Sequence, residues 1–212
     1  MNQARMVPVF LAPDRDRMIV IFGGGPVALR KARQFTGFRL RVVAAEIDPE
    51  LQKLADETVT EHFDPADLNP FLKEAFIAVA ATNSKELNTA IAFAAKKAGV
   101  LVNSAHGGGD VLLPSVVRKD KYTVAVSSEG RAAAFPPFVA AQINGFLDED
   151  YDRMLDLIIA LRQEIRTRIA TQPERAAFLD MVLHNDDVWN LLRSGNLDGA
   201  HALALKLHIS EN

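Results

Sequence analysis

The sequence contains no cysteine in its 212 residues. That excludes disulfide staples, thiolate nucleophiles and cysteine-ligated zinc or iron–sulfur clusters. It also lacks any run of about 20 uninterrupted apolar residues, so no membrane span is expected. The apolar stretch Val7-Pro8-Val9-Phe10-Leu11 is short and runs into Pro13-Asp14-Arg15, without the small-residue cleavage pattern of a secretory signal. A soluble, cytoplasmic protein is the expectation. Nor does charge of one sign dominate. A formal net charge of −3 offers no general attraction to nucleic acid or to an anionic membrane, and neither is expected as a partner. What is present is material for a core: 49% of the residues are hydrophobic, which argues against global disorder.

The apolar residues fall in an alternating pattern. Met18-Ile19-Val20-Ile21-Phe22 is a continuous branched run that ends at three glycines, as expected of a strand buried on both faces of a parallel sheet. Val27, Leu29, Ala32 and Phe35 then recur among Arg30, Lys31, Arg33 and Gln34 at helical spacing, and Gly37 marks a stop. The alternation continues with strands at 40–45, 58–60, 76–81 and 100–102. Between them lie short helices at 49–55 and 67–73 and a longer one from the Ser84 cap to about residue 98. Strands alternating with helices at this spacing imply right-handed βαβ units and an open parallel sheet. Beyond residue 111 the pattern changes to two strands, 111–117 and 123–127, and a helix at 135–146. From Asp150 onward everything is helical, with the turn Ser194-Gly195-Asn196 before the last helix.

The glycine turn carries the first functional reading. Gly23, Gly25 and Ala28 match G-x-G-x-x-G/A directly after a strand and before a helix. The first glycine permits the tight turn, the second lets the backbone approach a pyrophosphate, and the small third residue lets the helix lie close to the sheet. Amides at the helix start then face the phosphates. Gly23, Gly24, Gly25, Pro26, Val27 and Ala28 are therefore the expected dinucleotide seat of a Rossmann-type domain. No G-K-[ST] follows, so a Walker-type phosphate loop is not expected.

Further candidates lie at strand ends, where open α/β sheets bind ligands. Glu46 follows the second strand and can hold a ribose diol or stand as an exposed loop carboxylate. It favours NAD over NADP, although Arg39 and Arg41 near the start of that strand leave a 2′-phosphate open. Thr82 and Asn83 follow the fourth strand and can bond ribose or pyrophosphate or cap the next helix. Asn103 ends the fifth.

Three blocks together resemble the precorrin-2 dehydrogenase family, the N-terminal module of siroheme synthases. They are Pro8-Val9-Phe10-Leu11 with Val20-Ile21-Phe22-Gly23-Gly24-Gly25-Pro26-Val27-Ala28-Leu29-Arg30-Lys31-Ala32; Ala80-Ala81-Thr82-Asn83 with Glu86-Leu87-Asn88 and Leu101-Val102-Asn103; and Leu113-Pro114-Ser115-Val116-Val117 with Val124-Ala125-Val126-Ser127-Ser128-Glu129-Gly130. The resemblance covers about residues 7–145. It implies NAD-dependent oxidation of precorrin-2 to sirohydrochlorin, in some members with ferrochelation at the same site. It further implies a homodimer built through the segment after the Rossmann domain, and an active-site role for Ser128. An octacarboxylate substrate would favour cations, and Arg118, Lys121 and Arg131 are the substrate-binding candidates. The implied layout is a Rossmann dinucleotide-binding domain at 1–111, a small α+β dimerisation segment at 112–147 and a helical C-terminal domain at 148–212.

The chain departs from the family in two places. The family places an aspartate in the loop after the strand-end asparagine; here His106 stands at that position, in a loop about two residues shorter. His106 as base or metal ligand, or Asp110 swinging in as carboxylate, are the catalytic candidates beside Ser128. After Gly130 the family shows a Gly-Lys-Ser-Pro type stretch, whereas this chain has Arg131-Ala132-Ala133-Ala134. Two rival readings are a non-catalytic NAD-sensing domain and a chelatase that lost dehydrogenation. No structural metal site is expected, since His62, His184, His201 and His208 show no ligand spacing.

Overall fold

A computed structural model describes residues 6–64 and 67–207; His208 lies outside them. The chain forms two compact units, residues 1–114 with 127–133, and residues 115–126 with those from 134 onward.

The first unit is built on β1 (Met18–Phe22), β2 (Arg39–Ala44), β3 (Glu57–Thr60), β4 (Ala75–Ala80) and β5 (Leu101–Ser104). All neighbouring pairs are parallel and the order is β3-β2-β1-β4-β5. The central strand explains its own composition, because every residue of β1 is buried. Ile19 and Ile21 pack on one face with Ala28 and Ala32 of α1 (Pro26–Ala32) and Leu51 of α2 (Pro49–Leu54). Val20 and Phe22 pack on the other, with Leu72 of α3 (Asn69–Leu72) and Ile91, Ala92 and Ala95 of α4 (Lys85–Lys97). An alternating strand could not fill both layers; a continuous apolar one does. Phe22 also meets the rings of Phe63 and Phe71 edge-on, with centroids 5.4 and 6.2 Å away.

α1 is shorter than its apolar spacing predicts. It closes into a single 3-10 turn over Arg33–Phe35, and Gly37 follows at φ +90°. From there the chain enters β2 beside a polar cluster at the amino edge of the sheet. Asp56 accepts from the Leu40 amide at 2.8 Å and pairs with Arg15. The Arg15 hydrogen bond, and after it the Leu40 amide, hold the Asp56 carboxyl below its ordinary value. A carboxyl depressed in the folded state contributes stability above its unfolded pKa and loses it as pH falls through the folded one. Asp56→Asn is accordingly expected to cost about 1 kcal/mol at neutral pH after solvent screening. Thermal melts down an acid series check this: the gap from the parent should close below the ordinary carboxylate range.

The second unit opens with the antiparallel hairpin β6 (Ser115–Arg118) and β7 (Thr123–Val126), in register from Ser115–Val126 to Arg118–Thr123. The first of these strands is expected from residue 111 but begins at Ser115. Pro114 has no amide to give a ladder, and the Val111 amide is spent on the Val102 carbonyl at 3.0 Å. α5 (Phe135–Phe146) packs on the hairpin, and Lys119 Nζ donates to the Leu147 carbonyl past its end at 2.6 Å. Four helices follow: α6 (Glu149–Ile165), α7 (Gln172–Leu183), α8 (Asp186–Arg193) and α9 (Leu197–Leu207). Asp148, Thr171 and Asn185 cap α6, α7 and α8, the second in a full capping box with Glu174. Met154, Leu157, Leu161 and Ile165 recur at three- and four-residue spacing on α6. They make the seam against Phe178, Val182, Val188, Leu192, Ala200 and Ala204. His201 on α9 bonds Glu164 on α6 at 2.7 Å. No helix among the described residues is long and apolar enough to cross a membrane.

Candidate functional site

The order β3-β2-β1-β4-β5 places the topological switch between β1 and β4. From β1 the chain winds outward one way to β2 and β3, then crosses back to β4 and β5. The loops after β1 and β4 therefore diverge and leave a crevice at the carboxyl edge, where such sheets take their ligands.

The glycine turn lies at that crevice, and its geometry accounts for each glycine separately. Gly23 has φ +120°, and a side-chain carbon there would lie 2.4 Å from the Ala81 carbonyl oxygen at the end of β4. At Gly24 it would lie 1.8 Å from the Glu46 carbonyl oxygen after β2. Both residues are locked from below: the Gly23 amide donates to Val43 O at 3.0 Å, and Gly24 O accepts from the Asp48 amide at 2.8 Å. Gly25 differs, since a side-chain carbon there meets nothing within 4 Å. The open side of Gly25 is the space a pyrophosphate needs, beside the start of α1, whose first amides have no partner a turn earlier. Pro26 starts α1 without an amide to satisfy, and Ala28 is fully buried against the sheet. These residues fit a dinucleotide.

Around the turn, the strand ends place the other candidates unequally. Glu46 is exposed beside Gly24, and its carboxylate makes no hydrogen bond among the described residues. Arg39 and Arg41 are not with it. They bond Glu57, and Arg41 also bonds Glu74, near the opposite end of β2. At about 3.3 Å per residue, Arg39 lies roughly 16 Å along the strand from Ala44. Glu57 is held below its ordinary pKa chiefly by its hydrogen bond to Arg41. Neither arginine is placed to receive a 2′-phosphate.

Thr82, His106 and Asn103 are fixed by hydrogen bonds that the sequence does not reveal. Thr82 is clamped by Asn88 of α4, whose side chain is fully buried. The same amide reaches His106 Nδ1 at 2.8 Å. Asn103, also buried, donates through Nδ2 to Val111 O at 2.8 Å and accepts from Lys31 Nζ through Oδ1. Burial, and secondarily Arg30, push the Lys31 ammonium below the ordinary lysine value. Asn83 is exposed and takes no part in the helix cap, which Ser84 makes by accepting from the Leu87 amide. Asn88 and Lys31 are the site-region residues that sequence reasoning missed. The one available signal was an asparagine on the apolar stripe that carries Ile91, Ala92 and Ala95.

Asp110 stands apart from His106. It bonds the Val102 amide at 3.3 Å and pairs with Lys96 at 3.2 Å near the end of α4, toward the amino edge of the sheet. This arrangement ties β5 to α4 and does not aim a carboxylate at the crevice. Asp110→Ala is expected to lose about 1 kcal/mol of stability with turnover per folded molecule unchanged, which melting curves and rates on the same sample would check.

Ser128 lies in a closed turn, where Oγ donates to Ala132 O at 3.0 Å and accepts from the Ala132 amide at 3.2 Å. Glu129 beside it has φ +54° and pairs with Arg131 at 3.1 Å. Among the cationic candidates, Lys121 is occupied by Asp156, whose hydrogen bond raises the lysine's pKa. Arg118 at the end of β6 is exposed, and its side chain makes no hydrogen bond or ion pair among the described residues. No group of three or more metal-ligating side chains occurs among the described residues.

Comparison with known proteins matches this architecture. Residues 10–115 match the family described as "Putative NAD(P)-binding". The chain is 32% identical over 182 residues to a precorrin-2 dehydrogenase of Methanosarcina barkeri, covering 82% of this chain and 81% of that protein. It is 29% identical over 213 residues to siroheme synthase 1 of Aeromonas salmonicida, and 33% over 181 residues to the siroheme synthase of Chromobacterium violaceum. Those alignments take in 97% and 83% of this chain but only 44% and 38% of the synthases. The solved structure of SirC, precorrin-2 dehydrogenase, superposes with a TM-score of 0.71 at 19% identity, over 95% of this chain and 100% of that one. At that identity it shows the shared fold. With a dinucleotide crevice and a relative matched over four-fifths of both chains, this chain belongs to the precorrin-2 dehydrogenase/siroheme synthase family, matching its N-terminal NAD(P)-binding module.

Proposed function

We propose that this protein oxidises precorrin-2 to sirohydrochlorin, with NAD as the hydride acceptor. The observation that carries the reading is the glycine turn at the sheet's switch point with Glu46, a carboxylate unpaired among the described residues, just past the end of the neighbouring strand. Family membership supplies the substrate class, through the relative from Methanosarcina barkeri.

When bound, NAD would supply hydride acceptance, and the proton lost by the macrocycle would pass to solvent water. The chain's own residues do the rest. Gly23–Ala28 seat the pyrophosphate on backbone amides, and Glu46 accepts from the ribose hydroxyls. His106 is exposed past the carboxyl edge of β5, where the reacting ends would meet, and Thr82 and Asn103 brace the strand ends beneath it. Arg131 is proposed to receive a substrate carboxylate in exchange for its pairing with Glu129.

A homodimer forms part of this proposal. On α5, Phe135, Phe138 and Phe146 are 57%, 62% and 67% exposed, and at 100° per residue they share one face. An apolar face of this kind is unfavourable in water and suits a second copy of the same helix.

The reaction itself tests the proposal. Purified protein, precorrin-2 and NAD without oxygen should give the absorption of sirohydrochlorin. Measurable NAD binding without that product would overturn the assignment and leave a nucleotide sensor.

A further inference from the structure

We propose that Asn88 is a positioning residue that locks His106 as its Nε2–H tautomer. His106 then meets the substrate as a hydrogen-bond donor, not as a base or a metal ligand. The inference rests on the function proposed above for the identity of the acceptor, a carboxylate of the acidic tetrapyrrole.

Asn88 is fully buried, so each of its polar atoms needs a partner. Its Oδ1 accepts from the Thr82 backbone amide at 2.9 Å, and its Nδ2 donates to the Thr82 carbonyl at 3.0 Å. A peptide N–H only donates and a peptide carbonyl only accepts, so Thr82 fixes which end of the Asn88 amide is oxygen. Reversing it would set two donors against each other and two acceptors against each other, both buried.

The second hydrogen of Nδ2 points to His106 Nδ1 at 2.8 Å. That nitrogen must offer a lone pair, and in a neutral imidazole the proton then sits on Nε2. The His106 amide donates to Ser104 Oγ at 3.3 Å, which holds the backbone where the ring can reach α4. Work as a base or as a metal ligand through Nε2 requires a free lone pair there, hence a proton on Nδ1. The Asn88 N–H occupies that position. Of the roles open to a histidine in this loop, donation through Nε2–H is the one the geometry supports.

The test uses the full chain with nitrogen-labelled histidine and reads both ring nitrogens by long-range proton–nitrogen correlation. The expected result is protonated Nε2 and unprotonated Nδ1 for His106. Asn88→Asp replaces the donor by an acceptor and should invert the assignment. A proton on Nδ1 in the parent, or a tautomer indifferent to Asn88→Asp, would overturn the proposal.

Should Asn88→Asp fail to fold, the parent spectrum and a second pair of variants still decide. His106→Gln keeps an N–H near the Nε2 position and should hold sirohydrochlorin within about 5-fold of the parent. His106→Ala should lose about 10- to 100-fold, the range for a hydrogen bond to a charged group. Equal losses in the two variants overturn the donor role. The spectrum needs no turnover, so a protein inactive on precorrin-2 with the expected tautomer would refute the proposed function and leave the Asn88 lock standing.

Discussion

Gly24→Ala is expected to abolish measurable NAD binding and to destabilise the fold, whereas Gly25→Ala should impair binding alone. The difference comes from what surrounds the two positions. A methyl at Gly24 would lie 1.8 Å from the Glu46 carbonyl oxygen and 2.9 Å from Ile47 Cα, so backbone must move. Either the turn after β1 lifts or the β2–α2 connection retreats, and the Gly24–Asp48 bond is lost with it. Overpacking against backbone of this kind costs on the order of 2–4 kcal/mol. The turn would also be displaced by more than a phosphate contact tolerates, so affinity should fall at least ~100-fold, by analogy with mispositioned sites. Gly25 has φ −94° and open space around it, so alanine is sterically free there and should shift stability by less than about 0.5 kcal/mol. Its methyl enters the ligand's space, and affinity should fall at least ~10-fold. Calorimetric titration with NAD and thermal melts on both variants check this. Equal binding losses with equal melting temperatures would mean that the turn is not packed as described.

Glu46→Ala should change which cofactor binds, with little effect on stability. The carboxylate has no hydrogen bond to lose among the described residues. Accepting from two ribose hydroxyls is worth about 1.5 kcal/mol for each charge-assisted bond, so NAD affinity should drop roughly 10- to 100-fold. Removing the negative charge also lifts repulsion of a 2′-phosphate, and NADP affinity should rise ~10-fold. The preference would thus shift by roughly 100- to 1000-fold. Arg39 and Arg41 stay with Glu57 and do not add to the effect. Titration with both dinucleotides measures it. Unchanged NAD affinity would remove Glu46 from the site.

Much of this fold is legible in the sequence because its signals are local. The apolar run of β1, the glycines behind it and the alternation of strands with helices each lie within a few neighbouring residues. The same holds for the cap at Ser84. The candidate site is less legible because its chemistry is made across the fold. Asn88 reaches His106 over 18 residues, and Lys31 reaches Asn103 over 72. Asp110 misleads in the opposite sense. It is four residues from His106, yet strand-edge bonding to Val102 turns it toward Lys96. Lys121 looks free within its charged turn and is occupied by Asp156, 35 residues away. Short-range patterns specify elements, whereas side-chain partners follow from which elements the topology makes adjacent.

The hydride transfer from precorrin-2 to NAD proposed for this crevice leaves two products that can be counted. Its most direct test is to quantify NADH and sirohydrochlorin in one anaerobic reaction, with NADP in a parallel sample. Equal amounts of the two products are expected, formed much faster with NAD than with NADP. Sirohydrochlorin accumulating without NADH, or NAD bound with neither product formed, would contradict it.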